Sequence, residues 1–382
     1  MKFYKSHLIY YLFKPLRVQK NMIVFYHNGF SGSNLSFIYD LEHKKNLSRY
    51  VLIDINEKIK GKSRLISILT SAYYYNKAKI LLYTHGGRRV RLKKNQVVIE
   101  LWHGFPLKGM NYMDLKDYTS GFKSFYSNYI ISSSKLYNTF FNACMREDVS
   151  KFKVIGFPRN DYLFNTNGRR NLELLFNEKF RHKYVFLYMP TYRKSVNRTD
   201  DGKKIVDNIF NFPDFNWKLM NDFLKKNDIL LLLKLHPFEE QFYIKTLIDE
   251  ITSNVRLVNQ TLLSDFKMDL YKIVNSSNLL ITDYSSIYFD YLLLDKPILF
   301  TPSDLDQYSV SRGLLIEDYN FWTPGPKVNT MEDFLKYSMI LVTEDGYSTQ
   351  RKQLCNEIHR YKDSNSTKRL IEFINSFGTT NE

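Results

Sequence analysis

Eleven short, almost uninterrupted apolar runs, separated by stretches with helical patterning, constrain this chain more than any other feature. The first series is "MIVFYH" (22–27), "YVLIDI" (50–55), "AKILLY" (78–83), "QVVIEL" (96–101), "NYIISS" (128–133) and "FKVIGF" (152–157). The second is "KYVFLYMP" (183–190), "DILLLLKLH" (228–236), "VRLVN" (255–259), "NLLITD" (278–283) and "KPILF" (296–300). A strand that is apolar on both faces must be covered on both, and intervening helices supply that cover in a parallel sheet. A chain of 382 residues is too long for one ordinary core. The polar, turn-rich stretch "FNTNGRRNLE" (164–173) separates the two series and is the candidate linker. The expected architecture is α/β: two Rossmann-like, doubly wound domains, 21–165 and 175–382, facing a cleft at the carboxyl ends of their strands.

Composition narrows the class. With 44% hydrophobic residues, 15 glycines and 10 prolines, the chain is globular rather than disordered. Cys144 and Cys355 have no CxxC partners, which argues against a disulfide framework or a cysteine zinc site and fits a reducing compartment. No apolar run reaches the ~18 residues of a membrane span. The formal charge of +16 calls for an anionic partner: nucleic acid, acidic lipid or a phosphate-bearing substrate. Residues 1–20, "MKFYKSHLIYYLFKPLRVQK", hold five cations and no carboxylate. Their apolar centre is too short for a signal peptide, and no cleavage site follows. They read either as a segment lying on an anionic membrane surface or as a first helix packed on its domain. A second basic run, "RRVRLKK" (88–94), suits an anionic acceptor or a plain solvated face. Nucleic-acid binding is not expected, because zinc-finger spacing, an RNP motif and a basic heptad helix are all missing.

Function in such folds sits where strands end. His27 opens the loop "HNGFSGSN", which either holds an anion or turns the chain. His103 follows "VVIELW", and His236 follows "ILLLLKL". Asp283 follows "LLIT" and opens "DYSSIYFDYLL". Ser285 and Ser286 stand where a helix should begin, and free backbone N–H groups there favour an anion. Taken alone, Asp283 or Ser285 is more simply an N-cap, and a lone strand-end histidine more simply structural.

Together these stretches resemble a known family. "LWHGFPLKG" (101–109), "GFPRND" (156–161), "YMPTYR" (188–193), "LKLHP" (233–237), "ITDYSSIYFDYLLLDKPILF" (281–300) and "RGLLIEDYNFWTPGP" (312–326) look like the CDP-glycerol glycerophosphotransferases. These are the primases and polymerases of wall teichoic acid, with related capsule polymerases. The similarity runs from about residue 80 onward. It implies a glycosyltransferase-B-type fold at the cytoplasmic face of the cell membrane, held peripherally. It also implies transfer of a polyol phosphate, glycerol phosphate first, from a CDP-activated donor to a hydroxyl of a lipid-linked or polymeric anionic acceptor, with CMP released. The resemblance places the family's two important histidines on His103 and His236, and its donor-phosphate contacts on Ser285 and Ser286. On that basis His103 is the expected general base and His236 a donor to the pyrophosphate. Gly104 permits a tight turn, and Lys108 neutralises an acceptor phosphate. Arg193, Arg312 and Lys234 are further candidates for phosphate contacts, unless Lys234 alternates away from the cleft. Asp283 orients a histidine, binds a donor hydroxyl or caps the helix. No cofactor is expected; no acidic cluster of metal-ligand spacing occurs, and the sequence leaves Mg²⁺ open.

One position departs from the family pattern. Phe105 stands where the motif has a threonine, which removes a hydroxyl near the expected reaction centre and leaves room for a different polyol or acceptor. The rival reading is a nucleotide-sugar glycosyltransferase of the same fold, which would release a nucleoside diphosphate.

Overall fold

The computed structural model describes residues 8–27, 32–35, 50–54, 64–86, 92–114, 119, 126–191, 208–236, 239–240, 243, 252–311, 313–316 and 318–378. Each of the eleven apolar runs forms a strand. In the first half these are β1 (Gln19–His27), β2 (Tyr50–Asp54), β3 (Ala78–Tyr83), β4 (Val97–Glu100), β5 (Tyr129–Ser132) and β6 (Phe152–Val154). In the second they are β7 (Tyr184–Tyr188), β8 (Ile229–Leu233), β9 (Val255–Leu257), β10 (Leu279–Thr282) and β11 (Ile298–Phe300). The sheets run β2-β1-β3-β4-β5-β6 and β11-β10-β7-β8-β9, with every pairing parallel. Strand order therefore reverses between β1 and β3, and again between β7 and β10, and crevices open beyond the strand ends at such points.

Burial explains why the runs are uninterrupted. All of Ile229–Leu233 is buried, because β8 lies inside its sheet with helices on both faces. One outer layer of the first sheet is aromatic: Tyr26 and Tyr83 stack at 4.8 Å, beside Tyr75 and Tyr10. Helices start at polar caps. Ser134, Asn167, Asn216, Asn259 and Thr330 each accept the backbone N–H three residues on, worth about 1 kcal/mol apiece.

The 164–173 stretch is mostly helical. Helix Asp161–Asn165 stops at Thr166, and helix Gly168–Phe176 starts after the Asn167 cap. Gly168 passes too close to Asn275 to carry a Cβ, and Asn171 donates to the Lys272 carbonyl (2.9 Å), so this helix docks on the second half. A second crossing runs the other way. The Asp161 carboxylate accepts the N–H groups of Ser366 (2.9 Å) and Thr367 (2.7 Å), and Arg369 donates to the Ile155 carbonyl (2.8 Å). Phe373 and Phe377 lie against Tyr129 of β5, so helix Ser366–Asn375 covers the first sheet although it follows the second in sequence.

Residues 8–12 are helical, and β1 already starts at Gln19, inside the expected 1–20 segment. Tyr10 is buried, with its hydroxyl 2.7 Å from Ser71 Oγ, whereas Leu8 and Leu12 are each 71% exposed. Among the described residues, no helix is long and apolar enough to cross a membrane.

Candidate active site

The site grows from the ends of β3 and β4. Leu101 N–H donates to the Tyr83 carbonyl (2.7 Å), extending the ladder by one bond before the chains diverge. Glu100, fully buried, then locks both turns: Oε2 accepts from Gly86 N–H (3.0 Å) and Oε1 from Trp102 N–H (2.9 Å). Burial pushes its carboxyl up to about 8, against the pull of those two amides. Trp102 sits at φ 51°, a left-handed conformation that bulky residues rarely take, and it turns the chain toward His103.

The His103 tautomer follows from its partner. Nδ1 lies 2.8 Å from the Thr84 carbonyl, which only accepts, so Nδ1 carries the proton and Nε2 the lone pair. Burial holds the imidazole well below its ordinary proton affinity, and charge from His85, Arg159 and Lys108 adds to this. The ring stacks on His85 at 4.2 Å and lies 4.3 Å from the Trp102 ring.

Arg159 joins this turn to the other half of the molecule. Its Nη1 donates to the carbonyls of His103 (2.7 Å) and Gly32 (2.9 Å). Its Nη2 pairs with the buried Asp290 carboxylate at 2.5 Å. Asp290, on helix Ile287–Tyr291, also accepts from Asn160 Nδ2 (2.9 Å) and the Tyr271 hydroxyl (2.6 Å). Asn34 Nδ2 braces the same turn through the carbonyls of Leu101 and Trp102, both at 2.9 Å.

At Gly104 the halves nearly touch. This residue has φ 154°, and a Cβ on it would lie 2.8 Å from Ser286 Oγ. Three residues on, main chain bridges the gap: Leu315 N–H donates to Leu107 (2.9 Å) and Gly109 N–H to Gly313 (3.0 Å), with Lys108 paired antiparallel to Leu314. The Lys108 charge bears on both histidines. His236 is exposed on one side. Partial loss of solvent, then Lys234 and Lys108, push it down to about 4, so near pH 7 both imidazoles are neutral beside cations.

The expected residues fare differently. His103, Gly104 and Ser286 come together, Lys108 bears on both histidines, and Ser285 adjoins Ser286. Ser286 is the first residue before helix Ile287–Tyr291, yet its side chain makes no capping bond. Asp283 is not the cap either: buried, it accepts from Thr191 N–H (2.7 Å) and Tyr284 N–H (2.5 Å), fastening the loop after β7 to the loop after β10. Lys234 is no phosphate ligand, since its buried ammonium is committed to Glu240 (2.9 Å) and the Leu235 carbonyl (2.7 Å). Phe105 corrects a further expectation. It is buried between Tyr137, Phe140 and, at 4.4 Å, Phe289, so it joins the two halves through an aromatic contact and leaves the cleft without its side chain. Lys93 of the basic run donates to the carbonyls of Leu16 (2.6 Å) and Asn76 (2.7 Å), a structural duty. Arg88, Arg89, Arg91, Arg193, Arg312 and residues 1–7 lie outside the described residues, as does the His27 side chain.

Four residues with a part in the site escaped the sequence reading: His85, Glu100, Arg159 and Asp290. Glu100 left a signal, a carboxylate inside a run that is otherwise wholly apolar. Arg159 and Asp290 lie within the family-like stretches, but nothing local ties one to the other.

A pocket lies beyond the carboxyl ends of the second sheet, lined by Tyr188, Asn211, Leu235, Glu239, Asp283 and Thr301 among others. Among the described residues, no three acidic, histidine or cysteine side chains gather as a metal site requires.

Comparison with known proteins adds a lineage to this geometry. The family model described as CDP-glycerol:poly(glycerophosphate) glycerophosphotransferase matches residues 8–376. A teichoic acid poly(ribitol-phosphate) polymerase of Bacillus spizizenii is 24% identical over 386 residues, covering 96% of this chain but only 58% of the longer relative. A teichoic acid glycerol-phosphate transferase of Staphylococcus aureus is 29% identical over 298 residues, 72% of this chain and 70% of the relative. The solved structure of the wall teichoic acid polymerase TagF aligns over 98% of this chain and 94% of its own, with TM-score 0.73 and 21% identity. That likeness and the two parallel sheets give a glycosyltransferase-B-type fold.

Proposed function

Because this chain belongs to the CDP-glycerol:poly(glycerophosphate) glycerophosphotransferase family, we propose that it moves a polyol phosphate, glycerol phosphate first, from a CDP-activated donor to an acceptor hydroxyl. The acceptor is lipid-linked or polymeric, and CMP is released. One observation carries the reading: a His103 imidazole with Nδ1 committed to Thr84, on the turn whose Gly104 abuts Ser286 of the other half.

The acceptor oxygen attacks the phosphorus that bears the polyol, and its proton passes to His103 Nε2. The new P–O bond forms as the bond to the bridging oxygen breaks, and that oxygen leaves with CMP. Such transfers need positioning and charge neutralisation above all. Ser285, Ser286 and His236 supply donors to the donor's phosphates, and Lys108 adds charge between the two histidines. Arg193 and Arg312 join them on the strength of the family resemblance. Both histidines are poor bases beside cations alone; a bound pyrophosphate reverses that field and raises the proton affinity of each. The nucleoside takes the side of the cleft at the carboxyl ends of the second sheet, where Tyr188 stacks on Phe210 at 4.3 Å and Asn211, Glu239 and Asp283 offer polar atoms.

Attachment to an anionic membrane face goes with this role. Helix 8–12 packs through Tyr10 and turns Leu8 and Leu12 outward, so docking on the domain and facing a lipid surface are compatible. Leu8→Asp with Leu12→Asp should weaken binding to anionic vesicles while turnover on a soluble acceptor persists.

The deciding experiment offers CDP-glycerol, CDP-ribitol and nucleotide sugars with a prenyl-linked acceptor, read by nucleotide release and product mass. CMP release with a phosphate-linked product is expected. Nucleoside diphosphate release with a sugar-bearing product would replace this reading with the glycosyltransferase.

A further inference from the structure

A single hydrogen bond fixes one atom of an imidazole and leaves its plane free to swing about that bond. The His103 ring is bonded at Nδ1 to Thr84, yet proton transfer needs the lone pair on Nε2 to keep one direction. The plane is set by neighbours. His85 lies 4.2 Å away at 10° to the ring, and Trp102 lies 4.3 Å away at 31°. One face of an imidazole has room for one such ring, so His103 is held between the two.

His85 is itself anchored. Its Nδ1 is 2.9 Å from Thr84 Oγ1, so the fully buried Thr84 holds His85 by its side chain and His103 by its carbonyl. Gly86, the next residue, is pinned by Glu100, which also pins Trp102. Both stacking partners thus hang from a common buried carboxyl group. His85 itself is exposed, and burying a core does not explain its placement.

We propose that His85 is a positioning residue for the transfer, its ring lying flat on the His103 imidazole and fixing the direction of Nε2. The proposal rests on His103 being the base. Three cationic or titratable groups bear on His103 from different elements: His85 from the end of β3, Arg159 from residues 158–160, and Lys108 from the same loop. A charged His85 disfavours a charge on His103, so removing it should ease protonation of the base.

The test uses the full chain, the CDP-alcohol it turns over fastest, and a prenyl-linked acceptor, with three variants. His85→Ala should lower kcat roughly 10–100-fold through loss of alignment, with donor KM and melting temperature unchanged because the side chain is exposed. His85→Phe keeps a flat ring and should restore most of kcat, while the acid limb of the kcat/KM profile moves to higher pH. A structural role alone would lower the melting temperature and leave no Ala-to-Phe difference, whereas the limb reports the lost charge beside His103. His103→Gln separates the premise from the proposal. If His103→Gln is inactive while both His85 variants match wild type in kcat, the positioning role is overturned, whether or not the pH limb moves. If His103→Gln turns over like wild type, the base assignment falls, and the positioning role with it.

Discussion

The two strand-end histidines look alike in sequence and live in opposite settings. His103 is half-buried in a turn held from five other positions: the side chains of Asn34, Glu100, Arg159 and, through Arg159, Asp290, and the backbone carbonyl of Thr84. His236 stands exposed at the end of β8. A base must be aimed and kept neutral, which takes a rigid surround. A group that greets an incoming phosphate must be reachable, which takes the opposite. The asymmetry suggests different jobs for two residues of the same type, and substitutions can break or sharpen the contrast.

The largest effect should come from His103. His103→Gln is expected to lower kcat by roughly 10²–10⁴-fold, with donor affinity and melting temperature kept. Activity lost only in proportion to unfolded protein would erase the distinction. Next comes the surround. Asp290→Ala leaves Arg159 buried and unpaired, which should cost about 3–5 kcal/mol in urea unfolding and misplace the His103 carbonyl as well. A loss below about 1 kcal/mol would mean that the pair behaves as a surface one. His236→Ala should instead spare stability and raise donor KM by roughly 10–100-fold, the range for a hydrogen bond to a charged group; an unchanged KM with reduced kcat would make His236 a second base.

The smallest effect concerns pH. The proton affinity of His236 falls from 6.5 to about 4 on folding, so its contribution to stability is present above pH 6.5 and lost as pH falls through about 4. His236→Gln should flatten that stretch of the stability curve, and only slightly, because the side chain keeps solvent contact. A steep acid transition left intact in the variant would shift the cause to His103 or the buried carboxylates.

Strands and strand-end histidines were legible because they are local: burial on both faces writes itself as an unbroken apolar run, and a polar residue closing the run is visible at once. Side-chain direction past a turn was not. Phe105 appeared to replace a hydroxyl at the reaction centre, but the chain leaves Gly104 with the ring aimed at Phe289. Lys234 likewise sits in the right motif and is spent on Glu240. Arg159 and Asp290 are 131 residues apart and form an ion pair only because two separate sheets meet, a fact that no window of sequence contains.

The return of helix Ser366–Asn375 to the first sheet has a bearing on the order of events at the ribosome. Its N-terminal amides are held by Asp161, which emerges 205 residues before Ser366. The first half can gather its strands early, since each pairs with strands of its own half, but one face near β5 waits uncovered while the entire second sheet is made. The two halves therefore do not mature one after the other. The half that carries His103 is begun first and finished last, and a nascent chain stopped short of residue 366 would display Tyr129 and Asp161 to whatever chaperone is at hand.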